Sequence, residues 1–470
     1  MSTLLIPALI ISPIFFASLA FVIPKKADLF GILFGFLSVF LSFSLVFAYG
    51  SGSLEEYAFG AFLPPLGIAF APTAFGSSVL ALSSLILLVT FIYAKFSLHQ
   101  SQSALFYPLS IFLALGLVVI FLSHDIFTIY VGLEIVGLSA VGLTALQKGP
   151  KALHASIVYL FATLIASGFY LLGVATLYAK YKLLDMASLA EVVQNETLTL
   201  VAFGFMVVAF LLKTAVFPLS FWLPKAHANA LTPVSALLSG LVIKTSFYLL
   251  YFFSTTLFAF AFELSYFLSF LGVSAIFYGG IRAYLSTDLK LLIAYSTISQ
   301  VGYLLLLFAF SHEHAYYAMA FALFSHALAK SGLFLAAGVL VHLAQTKDIQ
   351  ALQGYASIAP VGVFAIGLSS ISLIGLPPSL GFVSKWYYLE SAYLSGSWFF
   401  MGAILLGGLL TALYLFKILV LFLGHPLEDR QIQARDKTQK IQEWSAFSLS
   451  FLSVFLAFFG SSIIEFLGMR

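Results

Sequence analysis

The sequence contains no cysteine. Disulfides, thiolate-held iron–sulfur clusters and cysteine-ligated zinc are therefore excluded. Charge is almost as scarce. Asp, Glu, Lys and Arg make up 8% of the 470 residues, against about 25% in soluble domains. A surface facing water on all sides cannot be built from that composition. No G-x-x-x-x-G-K-[ST], G-x-G-x-x-G or H-E-x-x-H occurs, so nucleotide hydrolysis, dinucleotide binding and zinc proteolysis lack their usual signals. The net charge of +3 carries no nucleic-acid footprint. Any redox chemistry in the system is expected on other chains, with no cofactor on this one.

What is abundant is apolar length: 62% of the residues are hydrophobic. A spanning helix needs about 20 apolar residues, and about fourteen such stretches can be laid along the chain. Their centres fall near Pro13, Phe40, Ser84, Phe112, Val136, Ala166, Val208, Lys244, Gly272, Ser299, Leu328, Leu380, Gly408 and Leu456. The runs are continuous rather than alternating, which predicts an all-α polytopic membrane protein and not a barrel. The first stretch has no basic region before it, and Lys25 and Lys26 follow it. It reads as a spanning helix, not a cleavable signal peptide. Numbering the loops from the N-terminus, the even ones hold only Lys180 and Lys182, whereas the other loop Lys and Arg residues fall in odd ones. The positive-inside rule then puts the odd loops in the cytoplasm of a prokaryotic plasma membrane and both termini on the other side.

Against this background a few ionisable residues stand inside apolar stretches: Glu134, Lys213, Lys244, Lys330, Lys385 and Lys417. A charge at the bilayer centre costs roughly 2.5–3.5 kcal/mol on insertion scales, so such residues are expected to face a protein or water-filled interior and to act there. A desolvated lysine can exchange its proton near neutral pH, and a carboxylate that approaches and withdraws alters its hold on that proton. Glu134 on the fifth stretch and Lys213 on the seventh could form such a pair; a purely structural ion pair is the alternative. His326 and Lys330 lie at i and i+4, on one helix face, as a candidate relay. Lys385 and Glu390 follow as a candidate exit or inter-subunit contact. Lys417, near a helix end, is expected to snorkel. Ser235, Ser239, Thr245, Tyr295, Ser296, Ser299 and Gln300 dot the same stretches and could hold water or bridge helices. The tract EDRQIQARDKTQKIQE, Glu428 to Glu443, reads as a solvated loop.

Two stretches are interrupted. The seventh reads VAFLLKTAVFPLSFWLPKAH and the twelfth ISLIGLPPSLGFVSKWYYLE. Proline removes a backbone donor and clashes with the preceding turn. A lysine beside each break, five stretches apart, suggests two repeated units, and interrupted helices at corresponding positions point to a transporter's ion site.

These motifs resemble a known family. The stretch LLKTAVFPLSFWLPKAHANALTPVSALLSGLVIKTSFY, with DLKLLIAYSTISQVGYLLL, FSHALAKSGLFLAAGVL and GLPPSLGFVSKW, is similar to the antiporter-like proton-translocating subunits of complex I (the M and N type), of membrane-bound hydrogenases and of Mrp antiporters (the D type). The resemblance covers roughly Leu105 to Phe422. It implies fourteen helices and two inverted five-helix repeats, each with a broken helix. The expected division is 1–103 for the first three helices, 104–256 and 257–424 for the repeats, and 425–470 for a cytoplasmic loop and the last helix. It also implies roles: Glu134 as switch, Lys213 as its partner, Lys244 as bridge, Lys330 as centre, Lys385 as terminal carrier and His326 on the polar axis. The chain departs from the commoner pattern at Lys225, where many members are acidic, at Leu231, where proline is usual, and at Lys385, which is glutamate in some paralogues. A long lateral helix after the fourteenth is not expected.

The function so implied is proton translocation within a complex I-like redox-driven assembly, beside other membrane and redox subunits. A D-type component of an Mrp Na+/H+ antiporter and a non-conducting structural paralogue are the alternatives, and sodium is the alternative ion.

Overall fold

The structure is a computed structural model that describes residues 2–54, 56–62, 64–65, 67–426 and 436–469. Among them, thirteen helices are long and apolar enough to cross a membrane. They occupy all the anticipated stretches except the twelfth. There the chain runs as Pro360–Ile374, breaks, and resumes as Leu380–Leu394. Among the described residues the bundle is thus helical apart from a hairpin of two-residue strands, in which Tyr57–Ala58 pairs antiparallel with Ala69–Phe70.

Apolar length makes the helices, and short polar side chains start them. Asp125, Asp185 and Asp288 each accept a hydrogen bond from the amide three residues on, at 2.6, 2.8 and 2.9 Å. Each satisfies an N–H that the first turn leaves free. Asp436 does the same for Gln439 at 2.8 Å and also accepts from Thr438 at 2.6 Å. Those two bonds hold its carboxyl below the usual carboxylate range. This cap corrects one expectation. The loop anticipated at Glu428–Glu443 lies partly outside the described residues, but from Lys437 onward the chain is already the fourteenth helix, Lys437–Phe455. Glu443 there is buried and accepts from Gly362 N at 2.9 Å.

The fifth and sixth spans recur as the tenth and eleventh. Asp125, Pro150, Lys182 and Asp185 are followed, at one constant sequence spacing, by Asp288, Glu313, Gln345 and Asp348. The caps Asp125 and Asp288 open the fifth and tenth spans. The sixth and eleventh spans, Pro150–Tyr181 and Glu313–Ala344, have 32 residues each. Both end on a left-handed residue, Lys182 at φ 59° and Gln345 at φ 54°. Isolated bridges join Asp125 to Asp185 and Asp288 to Asp348. The breaks correspond as well: Ala215 and Pro218 in the seventh span match Gly375 and Pro378 in the twelfth. Because each set has five spans, an odd number, the second set is inverted in the membrane relative to the first.

Tight helix contacts fix the second set. A Cβ on Gly272 of the ninth span would stand 2.7 Å from the carbonyl oxygen of Gly302 in the tenth. Only glycine permits that approach, the small-residue packing common between membrane helices. The eleventh span is the centre of the molecule: Leu328, Ala329, Lys330 and Leu333 have no exposure at all. Phe36, Phe40 and Phe47 of the second span and Leu405, Leu409 and Phe416 of the thirteenth are exposed, as a lipid-facing rim requires.

Candidate functional site

The seventh span is helical over Thr197–Thr214 and resumes over Leu223–Asn229. Its first half ends with Ala215 in a left-handed conformation, φ 58°. The break frees carbonyls that a continuous helix would satisfy. Trp222 Nε1 donates to one of them, Leu212 O, at 2.8 Å, and its ring stacks on Tyr159 with centroids 4.3 Å apart. Lys213 therefore stands one turn from a rigid aromatic plug. Its Nζ lies 3.9 Å from Glu134 Oε1. Ser167 of the sixth span donates to the same carboxylate oxygen. Lys213 Nζ is buried and has no hydrogen-bond partner among the described residues, so the carboxylate is its one close counter-charge. At 3.9 Å the pair is an ion pair beyond hydrogen-bond distance, while Ser167 holds the carboxylate.

A narrow cavity of about 10 Å³, room for about one water, is lined by Lys213, Gly137, Thr163, Thr245 and Ser246 among others. Thr245 is the neighbour of Lys244 in the eighth span. That span runs from Thr232 to Thr256 but widens into a π-turn over Leu238–Val242. The widened turn releases a carbonyl, and Lys244 Nζ donates to Ser239 O. π-turns inside α-helices are frequent at functional sites. From Ser239 the polar chain continues sideways. Ser239 Oγ lies 3.1 Å from Thr297 Oγ1 in the tenth span, and Thr297 donates to Ile293 O at 3.0 Å. Lys330 Nζ of the eleventh span reaches the same Ile293 O at 3.2 Å and also donates to Ser296 Oγ.

One turn beyond Ser296, Gln300 Nε2 is 3.4 Å from both Leu373 O and Thr411 Oγ1. Leu373 and Ile374 end the first half of the twelfth span, where Gly375 takes φ 85°. Their freed carbonyls accept from Lys385 Nζ at 3.4 and 2.6 Å. The ammonium also sits 4.7 Å from the Tyr303 ring centroid, a favourable cation–π contact. The two breaks thus do the same local job with different donors: an indole in the seventh span, a lysine in the twelfth.

Of the residues singled out from sequence, Glu134 and Lys213 are brought together. Lys244 and Lys330 share one file of hydroxyls and carbonyls, and Lys385 shares the carbonyl of Leu373 with Gln300, one turn beyond Ser296. His326 is 2% exposed, and neither ring nitrogen has a hydrogen-bond partner among the described residues; Lys244, Lys330 and His227 act on it electrostatically. Lys385 and Glu390 are not paired. Glu390 Oε2 instead lies 3.3 Å from His314 Nδ1. Lys417 Nζ reaches Tyr284 O and Ser286 O at 2.8 and 3.1 Å, at the end of the ninth helix. Ser299 donates to Ile276 O at 2.9 Å and Tyr295 accepts from Arg282 at 2.9 Å, so these two serve packing. Sequence reasoning passed over Thr297, the π-turn and His227. The His227 ring is fully buried, stacks on Phe334 at 4.7 Å, and has no hydrogen-bond partner among the described residues. Its signal was present in LPKAH, a histidine just after a proline in an apolar stretch.

Residues 123–411, more than half of the chain, match the family described as NADH:quinone oxidoreductase/Mrp antiporter, transmembrane. The chain belongs to this family. Among its relatives is an NADH-quinone oxidoreductase subunit N from Desulforudis audaxviator, 32% identical over 78% of this chain and 75% of that one. The D-type component of a Na(+)/H(+) antiporter from Alkalihalophilus pseudofirmus is 29% identical over 80% of this chain and 78% of its own length. The fold matches a chain in the Mrp complex of Dietzia sp. DQ12-45-1b with a TM-score of 0.91, at 22% identity, over 100% of this chain and 96% of that one. This member of the family is an integral membrane protein with an antiporter-like fold, and its buried Lys, His and Glu residues suit ion transport.

Proposed function

We propose that this chain carries protons across the membrane along the line Glu134, Lys213, Lys244, His326, Lys330 and Lys385. The observation that carries the reading is the buried polar file of Ser239, Thr297, Ile293 O and Ser296, with Lys244 and Lys330 on either side of it and His326 buried beside them. Buried ammonium groups without carboxylates are costly. Here Lys385 rests on carbonyls at a break, Lys244 on one in a π-turn, and Lys330 on Ile293 O and Ser296 Oγ of the tenth helix, contacts that hold an ammonium without pinning it in an ion pair. Protons enter from the cytoplasm, pass through Lys213, Lys244, His326 and Lys330, and leave near Lys385. Movement of Glu134 toward or away from Lys213 alters the affinity of that lysine for its proton and drives the transfer.

The repeats comprise 104–256 and 257–424, with 1–103 and 425–470 flanking them. The odd loops face the cytoplasm of a prokaryotic plasma membrane, in keeping with their lysines and arginines. The chain works inside a multi-subunit assembly that supplies the electron chemistry, as the relative named NADH-quinone oxidoreductase subunit N suggests. The relative from the Na(+)/H(+) antiporter favours a second reading, in which an ion gradient replaces redox turnover as the drive.

Purification of the native complex in mild detergent, with mass spectrometry of every co-purifying subunit, separates the two. Quinone-reductase or hydrogenase-type partners establish the redox drive; small membrane partners alone establish the gradient drive. In either case Lys213→Ala in membrane vesicles is expected to abolish coupled proton movement with the complex still assembled. Full pumping in that variant overturns the proposed line.

A further inference from the structure

On the odd-loop face a cavity of about 430 Å³ opens between the turn joining the fifth and sixth spans and the segment leading into the eighth. Lys148 and Lys151 enter it from the turn, Lys290 from the first turn of the tenth span, and Lys347 from the segment after the eleventh. No Asp or Glu among the described residues lines it. Among the described residues none of these four lysines makes an ion pair. Asp288, the carboxylate next but one to Lys290, is engaged in capping the tenth helix, accepting from Leu291 N at 2.9 Å.

Two of the lysines are built into the wall. Lys290 is 5% exposed and donates to Ala230 O at 3.0 Å; Lys347 donates to Ala228 O. An ammonium has three donors, so each keeps two. Lys148 and Lys151 are exposed and free to fold over the mouth. The sixth helix starts beside them at Pro150 without a side-chain cap, adding the positive end of its dipole. Four cations converging on one cavity repel each other, and a buried charge is stable when matched. The matching group must bring negative charge and several acceptor oxygens in a compact head, which is the chemistry of a phosphate. The cavity opens between loops at a membrane face, the level at which basic pockets meet anionic headgroups.

From this we infer that the cavity is a binding site for a phosphate group, of the kind an anionic phospholipid headgroup or free phosphate presents. Binding itself is independent of the proton line. Its consequence rests on that reading: the occupied site cancels a positive field at the cytoplasmic mouth and bears on Lys290 and Lys347, which hold the carbonyls of Ala230 and Ala228 just after His227.

The test uses the full chain, purified in neutral detergent. Native mass spectrometry compares retention of phosphatidylglycerol with phosphatidylcholine, and equilibrium dialysis measures inorganic phosphate. Selective retention of phosphatidylglycerol is expected, weakened about 25-fold in the double variant Lys148→Gln, Lys151→Gln and about fivefold in Lys347→Gln, at about one kcal/mol per basic residue. Phosphatidylglycerol bound without phosphate identifies a lipid site; phosphate bound as well, or alone, identifies a soluble anion. Retention of phosphatidylglycerol no better than phosphatidylcholine with no phosphate bound, or binding unchanged in both variants, overturns the inference. The readout is binding, so its failure leaves the proton line standing, and loss of translocation in Lys213→Ala leaves the anion site standing.

Discussion

Thr297→Val is the sharpest probe of the proton line, because it removes one hydroxyl and keeps the shape. Thr297 Oγ1 donates to Ile293 O at 3.0 Å and so accepts from Ser239 Oγ at 3.1 Å. Both side chains have no exposure, so no solvent can replace the lost oxygen. Leaving the buried Ser239 hydroxyl without that partner costs about 1–3 kcal/mol. If transfer from Lys244 by way of His326 to Lys330 depends on the placement that this hydroxyl gives the two lysines, the barrier to transfer rises by a similar amount. At about 1.4 kcal/mol per factor of ten, that slows translocation about fivefold to 150-fold. The assay is acidification of inverted membrane vesicles by the intact complex, with subunit content checked on the same membranes. Thr297→Ser restores the hydroxyl and leaves a methyl-sized gap of about 1 kcal/mol; it should recover most of the rate. Valine at the wild-type rate, or serine as slow as valine, would refute the path.

Three further outcomes are expected. Glu134→Gln keeps an acceptor for Ser167 and removes the one close counter-charge of Lys213, so vesicle acidification should fall sharply while the complex assembles normally, as native gels would report. Gly375→Ala forces a side chain into φ 85° with its Cβ 2.7 Å from Lys385 Cδ; thermal unfolding should register a loss of about 1–2 kcal/mol, and translocation should drop because Lys385 is displaced. The chain has no cysteine of its own, so single cysteines at Ser53 and Lys148 read topology cleanly. A membrane-impermeant maleimide applied to whole cells should label the first and spare the second; the reverse pattern would invert the orientation.

Much of this was legible in the sequence because its causes are local. Apolar runs fixed the spans, prolines located the breaks, and the cost of charge in a membrane picked out Glu134, Lys213, Lys244, Lys330 and Lys385. What sequence could not give is set by contacts between distant segments. Thr297 looks like any helix threonine until Ser239, from another span, is found beside it. Lys385 and Glu390 share a helix and read as one exit or inter-subunit contact, yet Lys385 turns to the carbonyls of Leu373 and Ile374 and Glu390 to His314. The π-turn at Leu238–Val242 leaves no pattern in residue types, and the charged tract before the last span hid a helix start because Asp436 caps it.

The most direct test of the account is proton translocation by the intact complex carrying Lys330→Ala. Lys330 is wholly buried at the centre of the eleventh span and touches Ile293 O and Ser296 Oγ, so it joins the two halves of the line. The account predicts an assembled complex whose coupled proton movement is abolished in vesicles. An assembled Lys330→Ala complex that acidifies vesicles at the wild-type rate would contradict it.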